Sequence, residues 1–358
     1  MSGYNARMRA VFACILSLFC AAPASAAEPL LGFNYPVWSR DGYGSAAAAA
    51  SLRALAATGA GWVALTPTLY VKDRRDSAPA PTESTPSDDS LRAAIRAARA
   101  AGLQVVLKPH VDLLDGGDRA WLSPRDPARW FAAYRAQILR YAALAHEEGC
   151  GLFVVGTELS LLTLPQHWRA WRALIAEVRE VYPGPLTFAA NWHSAAHVGF
   201  WRELDYVGID GYYPVAAASP RLMRAELDVW ALEAEAVAHA AGRPLLFTEI
   251  GIASQRGAQR RPWDYRDFGA VDDAVQADYF ETFLDVFGRR ANFAGMLAWD
   301  WEDAPAPPGD KSMNLRGKPA LHVLEQVFHA ARQPPSVSHA PAAARVSAVM
   351  EEARDIAR

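Results

Sequence analysis

Gly151-Leu152-Phe153-Val154-Val155-Gly156-Thr157-Glu158 and Pro244-Leu245-Leu246-Phe247-Thr248-Glu249-Ile250-Gly251 are two short apolar runs, each reaching a glutamate. Neither alternates cleanly between apolar and polar residues. That is the pattern of strands buried on both faces of a parallel sheet. A carboxylate at the end of such a strand is costly unless the strand opens onto a cleft, because a buried unpaired charge is strongly disfavoured. Two strands of this kind in one chain point to a two-carboxylate site, the machinery of glycoside hydrolysis.

Six further runs share the character: Leu30–Tyr35, Trp62–Tyr70, Leu103–Val111, Leu186–Trp192, Tyr206–Tyr213 and Phe293–Trp301. With Leu152–Glu158 and Leu245–Ile250 they make eight. Amphipathic stretches lie between them. In Ser90–Ala101, Leu91, Ile95 and Ala98 recur at helical spacing, arginines take the other face and Gly102 stops the helix. Trp130–His146 and His167–Tyr182 read likewise. Eight alternating units over about 300 residues predict an α/β fold, a single (β/α)8 TIM barrel over residues 27–332. A doubly wound open sheet would usually carry a glycine-rich turn after its first strand. The turn here is Asn34-Tyr35-Pro36-Val37-Trp38, which has none.

The flanks read differently. Arg7 and Arg9, an apolar Val11–Cys20 and Ala24-Ser25-Ala26 form the three parts of a secretory signal peptide over residues 1–26. The expected location is therefore exported, periplasmic or secreted. Its bland alternative is an uncleaved anchor; a lipoprotein reading through Cys20 is disfavoured by bulky Phe19. Residues 333–358 begin near Pro334-Pro335 and are expected to be a mobile tail. Lys72–Asp89, rich in Pro, Ser, Thr and Asp, is expected as a long loop on the catalytic face.

Composition narrows the partners. The 358 residues carry a formal net charge of −3, which moves to −5 if residues 1–26 are removed. That argues against nucleic acid, which needs a basic face. No membrane association is expected after signal removal. Cys150 is the one cysteine outside the signal, so no internal disulfide is possible. It reads as a small buried hydrophobe rather than a nucleophile. Twelve tryptophans are many for this length. Most belong to packing, but a sugar cleft would use some as stacking platforms.

In a barrel, the C-terminal strand ends converge on one pocket. Here those ends read Lys108-Pro109-His110-Val111-Asp112, Gly156-Thr157-Glu158, Asn191-Trp192-His193, Asp210-Gly211-Tyr212-Tyr213, Thr248-Glu249 and Trp299-Asp300-Trp301. Helix caps alone would not need so many polar and aromatic ends. Glycoside hydrolysis needs one carboxyl to protonate the leaving oxygen and one to attack carbon or activate water. A separation of about 5 Å gives retention and one of roughly 6.5–9.5 Å gives inversion.

The chain resembles the clan A glycoside hydrolases and, more closely, glycoside hydrolase family 113, which contains β-mannanases. The residues carrying the resemblance are Gly32-Phe33-Asn34-Tyr35, Thr85-Pro86-Ser87-Asp88, Leu107 to Asp112, Gly156-Thr157-Glu158-Leu159, Val207-Gly208-Ile209-Asp210, Tyr212-Tyr213-Pro214, Thr248-Glu249-Ile250-Gly251 and Arg316-Gly317-Lys318-Pro319. Each is short, but their order and spacing run from about residue 30 to 330. The resemblance implies Glu158 as general acid/base and Glu249 as nucleophile of a retaining double displacement on β-linked polysaccharide, β-1,4-mannan first. Thr157 stands where the commonest clan pattern has Asn, which leaves the contact to the sugar 2-hydroxyl open.

Further expected sugar contacts are Asn191, Trp192, His110 and Asp112. Tyr212 or Tyr213 is expected to hydrogen-bond Glu249, and Trp301, with Trp299 as the second choice, to form the floor under the sugar. Alternation sends only one tyrosine of the pair inward, and the same holds for Trp299 and Asp300. His110 alone reads equally as a satisfied core histidine, and Asp210 as a structural strand-end acid. No cofactor or metal is expected. A metal-dependent barrel would need three or four ligands, and His110-x-Asp112 with His193 is the nearest approach. Two other readings stand beside β-mannan: another β-glycan or bacterial exopolysaccharide, and a non-catalytic glycan-binding barrel.

Overall fold

The structure, a computed structural model, describes residues 28–332. The expected signal peptide and C-terminal tail lie outside the described residues. In chain order the elements are β1 (Leu30–Tyr35), α1 (Ala46–Ala57), β2 (Trp62–Leu65), β3 (Thr68–Val71), α2 (Asp88–Ala100), β4 (Gln104–Leu107), β5 (His110–Leu113) and α3 (Pro127–Glu147). They continue with β6 (Leu152–Thr157), α4 (Trp168–Val181), β7 (Leu186–Asn191), β8 (Val207–Asp210), α5 (Pro220–Ala241), β9 (Leu245–Ile250), α6 (Asp273–Phe287), β10 (Phe293–Ala298) and α7 (Pro319–Ala331). Eight strands close a parallel barrel in the order β1-β2-β4-β6-β7-β8-β9-β10. The single TIM barrel read from the sequence is the observed fold.

Two expected strands are each two strands. Trp62–Tyr70 breaks at Pro67 and Leu103–Val111 breaks at Pro109, because proline has no N–H for the ladder. Beyond the breaks, β3 and β5 pair in a separate two-stranded sheet, Thr68 beside His110 and Tyr70 beside Asp112. His110 and Asp112 thus ride on an accessory sheet rather than on the barrel wall. The Lys72–Asp89 segment stays irregular up to α2. It is tied down by the Tyr70–Ala80 bridge and by Thr85 Oγ1 donating to the Thr68 carbonyl at 2.6 Å. Asp88 and Asp89 open α2, whose cap is the Ser87 hydroxyl accepting from the Ser90 amide.

The lower lumen is filled by Leu30, Ala64, Val106, Leu152, Val154, Ala189, Leu246 and Leu297, all buried. Strand alternation continues these inward rows upward. Asn34 follows Leu30, Lys108 follows Val106, Asn191 follows Ala189 and Trp299 follows Leu297. The apolar plug of the barrel therefore supports its polar mouth directly. A second, larger core packs the outer strand faces against the helices.

One unit departs from the expected alternation. Between β7 and β8 the chain makes only two short 3-10 turns, Ala195–His197 and Trp201–Glu203. The missing helix leaves a groove of about 670 Å³ on the outer wall, lined by Trp192, Val198, Trp201, Trp230 and Val237 among others. It lies on the helix side of the barrel, not over the carboxylates.

Candidate active site

Both glutamates sit beside a break in strand register. Along β8 and β9, Ile209 pairs with Phe247 and the next residue, Asp210, with Glu249. Strand β10 records the same extra residue, Met296 facing Phe247 and Ala298 facing Ile250. The inserted residue turns Thr248 towards Asp210 and still directs Glu249 into the mouth, as bulges do when they re-aim a side chain. On β6, Val154 pairs with Thr187 and Thr157 with Ala189, a second one-residue shift.

Glu158 follows that shift with φ of 55°, the one non-glycine residue with positive φ among the described residues. A left-handed backbone costs a β-carbon-bearing residue about 1–2 kcal/mol. It is held by the Glu158 amide donating to the Ala189 carbonyl at 2.8 Å and the Ser160 amide donating back to the Glu158 carbonyl at 2.9 Å. The strain is localised at the residue whose aim matters.

Glu249 is gripped on both oxygens. The Lys108 ammonium donates to Oε1 and the Tyr212 hydroxyl donates to Oε2 at 2.6 Å. A carboxylate accepting a cationic donor and a hydroxyl is set up as an anion with a fixed direction. Lys108 is fully buried and also lies 3.6 Å from Asp210 Oδ1, which accepts from Thr248 Oγ1 at 2.6 Å. Gly251 makes room beside this group: a β-carbon there would meet the Trp299 carbonyl at 2.8 Å and the Tyr212 ring at 3.2 Å.

Glu158 has the opposite surroundings. Its side chain is 19% exposed against 5% for Glu249, and its nearest cation, Arg119 Nη1, stands 3.7 Å away. Burial pushes its carboxyl well above the ordinary range, and the charges of Asp210 and Glu249 push the same way, with Arg119 and Lys108 opposing. A carboxyl pushed towards its protonated form, beside one that accepts from a cation and a hydroxyl, fits the division of labour that acid and nucleophile need.

The remaining expected contacts divide. Tyr212 points in and bonds Glu249; Tyr213 points out, stacked on Phe287 and Trp230. That outward packing removes Tyr213 from the sugar contacts. Trp299 lies over His110, ring centroids 6.0 Å apart and 12° from parallel, and is only half-buried. Trp301 is not the floor. Strand β10 ends at Ala298, and the Trp301 ring turns outward, against Phe33, with Nε1 donating to Ser51 of α1 at 3.0 Å. Trp192 also leaves the site, since it follows inward-facing Asn191 and packs on Trp230 and Trp263 at the outer groove. Asn191 Nδ2 donates to Ser160 Oγ at 3.2 Å, beside the Glu158 backbone. Asp112 accepts from Arg119.

Three groups of the mouth went unassigned in the sequence. Lys108 is legible afterwards as a lysine ending an apolar strand in line with Val106. Arg119 offered no signal, because Asp115-Gly116-Gly117-Asp118 before it reads as an ordinary turn. Asp300 was set aside as the alternate of Trp299. It is buried, Oδ1 has no hydrogen-bond partner, and burial raises its carboxyl to about 7. No cluster of three or more metal-ligating side chains occurs among the described residues.

Residues 32–315 match the family model of Glycoside Hydrolase Family 113. The chain belongs to that family. A solved family 113 β-mannanase, AaManA from Alicyclobacillus acidocaldarius in complex with ManMIm, is 31% identical to this glycoside hydrolase, with a TM-score of 0.78. The match covers 86% of this chain and 100% of that one. A second family 113 structure, of a β-1,4-mannanase, is 27% identical, covers 85% of this chain and 100% of its own, and has a TM-score of 0.77. A family 5 glycoside hydrolase from Streptomyces cattleya shares the fold at 16% identity and a TM-score of 0.61, covering 92% of each chain. A search of curated proteins gave no match.

Two expected outcomes follow from the site's electrostatics. Tyr212→Phe removes the hydroxyl from Glu249 Oε2; a hydrogen bond to a charged group contributes about 1.5–3 kcal/mol, so kcat should fall roughly 10- to 150-fold. Melting temperature should move little, because the ring remains. Steady-state kinetics and a melting curve check both. Asp300 takes up its proton in the folded chain at about 7 against an ordinary 3.8. Its folded value is raised, so its contribution to stability is present below about pH 4 and is lost as pH rises through 7. Asp300→Asn should flatten that slope, gaining on the order of 2–4 kcal/mol on the wild type between pH 4 and pH 8. Denaturant unfolding across that range measures it.

Proposed function

We propose that this glycoside hydrolase cleaves β-1,4-linked mannan with retention, Glu249 attacking the anomeric carbon and Glu158 acting as acid and then base. The observation that carries the reading is the asymmetry of the pair: Glu249 clasped by Lys108 and Tyr212, Glu158 with its nearest cation 3.7 Å away and its carboxyl pushed up by desolvation and by the charges of Asp210 and Glu249. In the first step Glu249 forms a bond to the anomeric carbon as Glu158 gives its proton to the departing oxygen. In the second, ionised Glu158 takes a proton from water, and that water displaces Glu249. Trp299 supplies a face for the sugar ring, and Asn191 a polar neighbour on the Glu158 side. The β-mannan substrate is supported by the family and by the two solved relatives, which are β-mannanases. Export is proposed from the signal pattern at residues 1–26.

The test is incubation of the protein with β-mannan, β-glucan and xylan, and mass spectrometry of the released sugars. Manno-oligosaccharides from β-mannan support the reading. Products from another glycan alone would overturn the substrate, and no product from any would overturn it as a polysaccharide hydrolase.

A further inference from the structure

Arg119 joins three groups of the mouth. Its guanidinium bonds Asp112 through Nη2 and donates through Nη1 to His110 Nδ1 at 2.9 Å, with Glu158 Oε2 3.7 Å from the same nitrogen. Arginine has donors and no acceptor, so Nδ1 of His110 must be the acceptor. Burial, together with the charges of Arg119 and Lys108, keeps the ring neutral, which leaves its one proton on Nε2. Nε2 is buried and has no hydrogen-bond partner. The nucleophile's Oε1 lies 3.7 Å from it, beyond hydrogen-bond reach. An unused donor is costly in such a place. It faces the Glu249 carboxylate, with the Trp299 ring near-parallel to the imidazole.

We propose that Arg119, itself oriented by Asp112, is a positioning residue that locks His110 as the Nε2–H tautomer, so that this N–H donates to a hydroxyl of the sugar bound against Glu249. The inference rests on Glu158 and Glu249 being the reacting pair. Arg119 does not touch the sugar; it acts through the ring. Lysine at 119 would keep a charge but lose the planar fork that reaches Asp112 and His110 together.

The tautomer is read directly from the imidazole nitrogens of histidine-labelled protein by two-dimensional NMR, with His110→Gln to assign the signals. Wild type should have Nε2 protonated and Nδ1 bare at neutral and alkaline pH. In Arg119→Met a proton should be found on Nδ1 in part of the population, and kcat/KM on manno-oligosaccharides should drop roughly 10- to 100-fold. The Met variant also loses a cation facing Glu158, leaving Lys108 against Asp210 and Glu249. The basic limb of its pH profile should therefore move to higher pH. A wild-type ring protonated at Nδ1 overturns the proposal, as does a Met variant with an unchanged tautomer or with kcat/KM within twofold of wild type. If the Met variant fails to fold, Arg119→Lys takes its place in the tautomer and kcat/KM measurements, with the basic limb left where it is because the charge is kept. If wild type leaves manno-oligosaccharides uncut yet has the Nε2–H ring and the Met variant alters it, the lock stands and the substrate reading falls.

Discussion

Glu249→Ala is expected to lower kcat on β-mannan by at least about 10⁴-fold, because no other carboxylate replaces an attacking group on the same face of the sugar. Asp210, the next carboxyl beside Lys108, is fully buried behind Thr248 and burial raises it to about 7, so it is neither reachable nor a ready nucleophile. The alanine variant also strips Lys108 of its closest partner, leaving Asp210 at 3.6 Å as its counter-charge, and breaking a buried pair destabilises by up to roughly 3–5 kcal/mol. Glu249→Gln separates the two effects: it keeps an oxygen for Lys108 while removing the nucleophile. Its activity should be as low as that of the alanine variant and its melting temperature nearer wild type. An alanine variant with wild-type kcat would remove Glu249 from the chemistry.

Glu158→Ala should behave differently according to the leaving group. On a mannan chain the departing alkoxide needs a proton, and general acid catalysis contributes about 10²–10⁴-fold. On an aryl glycoside with an acidic phenol the first step needs no proton. The loss there should be confined to the second step, in which Glu158 serves as base, and a small anion such as azide should restore it by attacking the glycosyl-enzyme directly. The basic limb of the pH profile, which reports loss of the Glu158 proton, should vanish with the side chain. Equal losses on both substrates and an unchanged basic limb would contradict the acid role.

The barrel was legible because its strands are short apolar runs ending in polar residues, a pattern that buried parallel strands and a functional strand end impose together. The ends of single strands were harder. Pro67 and Pro109 mark the breaks that split two runs, and proline's missing N–H gives a physical reason to place a boundary there. Tyr212 and Tyr213 point to opposite sides as expected, although both lie past the end of β8 at Asp210. Trp299 and Trp301 did not follow the expected preference, since alternation holds only while the strand lasts, and β10 stops at Ala298. The register shifts that aim Glu158 and Glu249 have no sequence signature, because a bulge depends on the neighbouring strand. Arg119 was illegible for the same kind of reason: its partners His110, Asp112 and Glu158 meet it only once the accessory sheet of β3 and β5 is built.

The most direct test of the central claim is covalent trapping. The protein would be treated with a 2-deoxy-2-fluoro-β-mannosyl donor bearing a good leaving group, digested, and mapped by mass spectrometry. The expected result is one sugar label on the peptide that contains Glu249. A label on another carboxylate, or steady hydrolysis of the donor through a reaction that inverts the anomeric centre, would contradict it.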